Sequence, residues 1–164
     1  MAENPNIDGE RKESLPLSKA AEYLLEECRM VLPGIQALFG FQLIAVFNPG
    51  FAQKLSTPEQ QLHLLAIGLV AVAVALIMTP AAYHRQEGAR VVTETFLRLS
   101  TRLLLWSMLP LAIGICLDFY LIARIILKGT LVPLLAVLLF AVYAGLWFAL
   151  PRSRRLKRMA AGLK

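Results

Sequence analysis

The sequence is poor in the residues that most chemistry needs. Two histidines and two cysteines are spread over 164 residues, and only 17% of the chain is charged. Cys28 lies ahead of the first long apolar run and Cys116 sits deep in the third. The two thiols are therefore expected at different depths, and a disulfide framework is excluded. His63 and His84 flank the second apolar run, about 30 Å apart at helical rise, so within one subunit they cannot share a metal ion. Each reads as a polar residue at a membrane surface. There is no HExxH, GxSxG, Walker A, dinucleotide fingerprint or CxxC, so metal and nucleotide chemistry have no support. Neither an enzyme nor a cofactor-binding protein is expected. The first thirty residues are polar and acidic and lack a signal peptide's basic start and apolar core, so the first apolar run is expected to serve as an uncleaved targeting segment.

What the chain has in quantity is apolar surface. It is 57% apolar with a mean hydropathy of +0.61, more than so short a soluble domain could hide from water. Four long runs cover residues 30–47, 62–83, 103–127 and 131–150. Runs of about 18 to 25 residues match a hydrocarbon core of about 30 Å. The fold class expected is all-α, a four-transmembrane-helix antiparallel bundle in one membrane domain over residues 17–151. A disordered N-terminus over 1–16 precedes it, and a basic tail over 152–164 follows.

Local signals refine this outline. Ser18 can cap a helix in which Leu17, Ala20, Ala21, Leu24, Leu25 and Cys28 recur at helical spacing, an amphipathic N-terminal helix running directly into the first span. Asn48-Pro49-Gly50 ends that span with a turn. Thr57-Pro58-Glu59-Gln60 reads as a capping box opening the second. Val92, Phe96, Leu99 and Leu103 form the apolar face of a lead-in to the third span. Arg90, Glu94 and Arg98 lie on its other face at ion-pair spacing. Lys128-Gly129-Thr130 reads as a tight hairpin.

Fourteen of the seventeen Lys and Arg residues fall before the first span, between the second and third, or after the fourth; Lys54, Arg124 and Lys128 fall on the other side. The positive-inside rule then places both termini in the cytoplasm. Arg152, Arg154, Arg155, Lys157 and Arg158 follow the last span directly. Such a cluster attracts anionic headgroups by about 1 kcal/mol per basic residue, so it reads as lipid headgroup contact. No interleaved aromatics point to nucleic acid.

Three motifs carry a resemblance. Glu26-Glu27-Cys28-Arg29-Met30-Val31-Leu32-Pro33-Gly34-Ile35-Gln36-Ala37-Leu38-Phe39, then Pro80-Ala81-Ala82-Tyr83-His84-Arg85, and finally Leu146-Trp147-Phe148-Ala149-Leu150-Pro151 are similar to an uncharacterised family of short four-helix bacterial inner-membrane proteins. The resemblance implies the bacterial inner (cytoplasmic) membrane as the location. Some members carry a sodium/proton-antiporter assignment, although this chain shows no obvious inverted repeat or pair of broken helices.

The costly residues are few. Glu22, Glu26, Arg29, Pro33, Gln36 and Gly40 share one stripe of the first helix. A polar stripe entering a membrane should not face lipid. It lines either a water-filled path, or a buried seam in which Gln36 bonds a neighbouring helix and Glu26 pairs with Arg29; that seam could also lie between subunits. Asp118 lies about 22 Å along the third span from its start at residue 103. A carboxylate at a span centre costs about 2.5–3.5 kcal/mol. By depth, Gln42 is a plausible hydrogen-bond partner, and Gly68 lies at a level that would leave room for the carboxyl. Asp118 is either an ion or proton site or a structural hydrogen-bond acceptor. Gly68, Ala71 and Ala75 in the second span and Ala141 and Gly145 in the fourth form small-residue stripes suited to close helix packing, as does Gly40.

These features lead to a homo-oligomeric cation or proton channel or transporter. Its ion-pathway candidates are Asp118, Gln36, Gln42, Glu26 and Arg29, and its expected partners are the bilayer and further copies of itself. A non-catalytic accessory or scaffolding subunit of a larger membrane complex is the alternative.

Overall fold

The computed structural model describes residues 16–87, 93–127, 129 and 131–153, and these residues are helical throughout apart from short connections. The expected disorder of the N-terminus, Arg90 and Val92 of the lead-in, Lys128 and Thr130 of the hairpin, and the tail arginines and lysine from 154 onward lie outside them. Four helices are long and apolar enough to cross a membrane.

Helix α1 spans Leu17–Val46 without interruption at Pro33, so the amphipathic lead-in and first span are one rod. It starts one residue ahead of Ser18, with Pro16 as cap and no side-chain cap bond. At its far end Asn48 Oδ1 accepts from the Gly50 amide at 2.9 Å, and that turn starts a short helix, α2, Gly50–Lys54. Helix α3, Thr57–Glu87, opens with a capping box set one residue earlier than the sequence suggests. Ser56 is the cap: its amide and its hydroxyl both donate to Glu59 Oε2, at 2.7 and 2.6 Å. Glu59 is three residues on, where a side chain can reach back to the cap. Helix α4 spans Glu94–Ile126 and runs through Pro110. Its cap Thr93 accepts from the Phe96 amide, and Glu94 pairs with Arg98 at 2.6 Å, as the lead-in spacing predicts. Helix α5, Leu131–Ala144, continues into one π-helical turn, Gly145–Ala149, closed by the Leu150 amide donating to the Gly145 carbonyl.

The helices alternate in direction. Ser18 and Arg29 share a cleft with His84, Phe96 packs on Tyr83 and His84, and Trp106 shares a groove with Trp147 and Arg152. That is the proximal end. The distal end carries Val46, α2, the start of α3 and the close of α4. Helices α3 and α4 form the centre, while α1 and α5 expose most of their apolar surface. Phe47 is 85% exposed, and Met30 and Phe41 each 71%. Such surfaces suit acyl chains, which solvate leucine or phenylalanine as well as a protein core does.

Tight packing rather than hydrophobicity must then hold the centre. The core joins Leu24, Cys28 and Ile35 of α1 to Val70, Ala73 and Ile77 of α3 and Leu111 of α4. Beside it, α3 and α4 approach closely at Gly114, where an added Cβ would lie 3.0 Å from Val70 Cγ2 and 3.1 Å from the Ala66 carbonyl oxygen. The small-residue stripes expected from the sequence lie on other faces of one copy. Gly68, Ala71, Ala75 and Ala141 are exposed, and a Cβ at Gly40, Gly68 or Gly145 would meet nothing within 4 Å. The buried face of α3 instead carries His63, Ala66, Ile67, Val70, Ala73, Ile77 and Pro80.

Candidate functional site

Three helices bring one polar side chain each to a single point near the distal end. Gln42 sits in the last full turn of α1, His63 in the second turn of α3, and Asp118 about 12 Å before the end of α4 at helical rise. Gln42 is 4% exposed and His63 7%, and the Asp118 side chain 15%. Gln42 Nε2 donates to Asp118 Oδ2 at 2.5 Å, the partnership that depth alone suggests. His63 completes the group, with Nδ1 2.9 Å from Asp118 Oδ1 and Nε2 3.1 Å from the Gln42 backbone oxygen. The reading of His63 as a surface residue is thereby corrected. It sits six residues inside α3 and is covered by the segment that folds back from α1.

The partners assign the protons. A backbone carbonyl only accepts, so Nε2 carries a hydrogen. The contact between Nδ1 and Oδ1 needs one proton between two acceptors. That proton is either on nitrogen, giving imidazolium and carboxylate, or on oxygen, giving neutral imidazole and carboxylic acid. In both cases the pair is neutral overall and holds one shared proton, which is how a carboxyl and an imidazole can be buried together. Because Nε2 is committed to a carbonyl, the imidazole has no free nitrogen for a substrate. One acceptor remains open: Gln42 Oε1 is buried without a hydrogen-bond partner among the described residues. Turning the amide over would only set two oxygens against each other.

The surroundings close the site on both sides. Toward the distal end, the Phe51 ring of α2 lies 5.3 Å from the His63 ring at 56°, and Leu55 is buried with its carbonyl accepting from Gln60. One helical turn beyond His63, Glu59 Oε1 meets Arg124 Nε at 2.8 Å, tying the start of α3 to the end of α4. Arg124 therefore pairs across helices and leaves Asp118 to the histidine. Its guanidinium also donates to the Tyr120 hydroxyl. Toward the proximal end, one turn below Asp118, Gly114 rests directly on Ala66 and Val70.

Residues 13–151 match the model of a family described as a family of unknown function, DUF6328. The chain belongs to DUF6328. This family reading agrees with the resemblance to an uncharacterised group. No curated protein and no solved structure is detectably similar to the chain.

The remaining candidates of this DUF6328 chain lie elsewhere. Gln36, Glu26 and Arg29 are exposed on the flank of α1, away from the triad. The ion pairs among the described residues are His63–Asp118, Glu94–Arg98 and Glu59–Arg124, so the expected Glu26–Arg29 pair is not formed. Glu22, Glu26 and Arg29 instead border the proximal cleft with His84. Arg152 lines a groove with Trp106, Trp147 and Phe148. Among the described residues no cluster of three or more His, Cys, Asp or Glu could hold a metal ion.

Proposed function

We propose that this protein is a homo-oligomeric, non-catalytic membrane protein that carries protons or monovalent cations, with Gln42, His63 and Asp118 as its ion-binding site. The observation that carries this reading is the buried His63–Asp118 pair, with Nδ1 2.9 Å from Oδ1. Ionisable groups at membrane depth mark proton relays and ion paths more often than packing. The open Gln42 oxygen supports it, because a hydronium, a water or a small cation would supply the missing donor or charge. The close packing of Gly114 on Val70 and Ala66 seals α3 against α4 at that level, below the triad. In this reading the conducting path therefore runs between copies, or opens when α4 shifts on α3.

That same seal favours the alternative, an accessory subunit of a larger membrane complex, in which the triad only pins three helices together. Liposome flux separates the two. Wild-type protein should carry protons, sodium or potassium above empty liposomes, and Asp118→Asn should abolish or reshape the flux while assembly mass is kept. Assembled wild-type protein that carries none of these ions removes the transport reading and leaves the accessory subunit.

A further inference from the structure

The first helix carries a polar group that the described residues of one copy leave without a partner. Gln36 lies six residues beyond Met30 and ten before Val46, about 9 and 15 Å from those levels at helical rise. It is thus well inside the hydrocarbon region of a core about 30 Å thick. It is exposed, and among the described residues its amide makes no hydrogen bond. Lipid tails offer neither donor nor acceptor, and an unsatisfied amide at that depth costs several kcal/mol. Something other than lipid must cover it.

The residues in line with Gln36 say what. Glu22, Glu26, Arg29, Pro33, Gln36, Gly40 and Leu43 alternate spacings of four and three, the repeat by which two parallel helices stay in contact along a left-handed crossing. Every one of them is exposed except Gly40, which is half-buried and would meet nothing within 4 Å if it carried a Cβ. The stripe is self-complementary. In a symmetric parallel pair the same residue meets itself at each level, and an amide both donates and accepts, so Gln36 can bond its own copy. Glu26 and Arg29 are of opposite sign one turn apart. Unpaired among the described residues, they can pair reciprocally across a two-fold axis. The open space at Gly40 lets the backbones approach just beyond the amide pair. Two copies inserted in the same orientation present these faces to each other without rearrangement.

We propose that a second copy of this chain covers the stripe, forming a two-fold dimer through α1 with Gln36 bonded to the partner subunit's Gln36 at its centre. This names the subunit surface for the homo-oligomer of the proposed function, yet it stands whether or not the assembly carries ions. Its readouts are mass and cross-linking, whereas the transport reading is judged by flux alone.

The test uses the full chain with Cys28 and Cys116 replaced by alanine and single cysteines at positions 36, 37 and 41, reconstituted in phosphatidylethanolamine–phosphatidylglycerol nanodiscs and liposomes. All three positions are exposed, so folding should be comparable, but 37 and 41 point about 100° and 140° away from Gln36. Oxidation should give a product of twice the 18.2 kDa chain mass at 36, with several-fold lower yield at 37 and 41. In the native-cysteine background, Gln36→Leu should weaken self-association about 10-fold, which is about 1.4 kcal/mol, with unchanged helix content. Equal or greater cross-linking at 37 or 41 overturns the proposal. So does a monomeric wild-type mass in nanodiscs, or a foreign chain found in equal amount with α1 covered by it.

Discussion

Replacing Asp118 in two ways separates what its charge does from what its hydrogen bonds do. In Asp118→Ala, Gln42 Nε2 and His63 Nδ1 lose their partner together. Interhelical hydrogen bonds in membranes average about 0.6 kcal/mol each, so two lost bonds set a floor of about 1 kcal/mol. Removing one member of a buried ion pair costs about 3–5 kcal/mol in soluble proteins. His63 and Gln42 are 7% and 4% exposed, too buried for water to take over, so a loss of about 3 kcal/mol is expected, more than a hundredfold in the folding equilibrium. Asp118→Asn keeps every bond. Its carbonyl oxygen can accept from Gln42 Nε2, its amide can donate to His63 Nδ1, and His63 stays neutral with Nε2–H on the Gln42 carbonyl. The cost should stay within about 1 kcal/mol. Denaturation by SDS in mixed micelles, followed by helical circular dichroism, measures both. If the asparagine variant is as unstable as the alanine variant, or if alanine costs nothing, the hydrogen-bond assignment at this site is wrong.

Other outcomes follow from the same geometry. Gly114→Ala should destabilise the bundle by about 1–3 kcal/mol through overpacking against Ala66 and Val70, while Gly68→Ala should change little; the same micelle titration compares them. Phe51→Ala should uncover the imidazole of His63, so that diethylpyrocarbonate modifies that histidine several-fold faster, read by mass spectrometry; an unchanged rate would mean that α2 is not what covers it. Cysteine at position 54 in a cysteine-free chain should react with an impermeant maleimide only from outside the cell, as the positive-inside count requires, and labelling only from the cytoplasm would reverse the topology.

Asp118 and Gln42 were legible because a carboxyl inside an apolar run is costly, and counting residues from the span ends put both at one level. His63 is less legible, because it stands at the boundary of an apolar run, where polar residues are usual at a membrane surface. The helix begins earlier, at Thr57, and α2 folds back over its first turns. The signal was present: His63 extends the face of Ala66, Val70, Ala73, Ile77 and Pro80 at three- and four-residue steps. The face formed by Gly68, Ala71 and Ala75 is offset from the face buried within one copy by two residues, about 200° round the helix. An almost uniformly apolar helix offers no contrast between its sides. Small size by itself does not tell a packed face from a lipid-facing one. On α4 the seven-residue series Ser100, Ser107, Gly114 and Leu121, all buried, was the better guide to close approach. The stripe on α1 reads from its polar residues as something lipid should not touch, and in one copy it is exposed, so a single chain does not say what covers it.

The wide turn at Gly145–Ala149 works as a change of phase. A π-helical turn holds more residues than an α-helical one, so everything after it is rotated relative to the pattern set by Leu131–Ala144. With that offset Arg152 lines the same groove as Trp147 and Phe148 of the turn, beside Trp106. Deleting one residue from the turn would restore ordinary winding and swing Pro151, Arg152 and Ser153 by about 100°. The direction in which Arg152 leaves the fourth helix is thus set by a single extra residue.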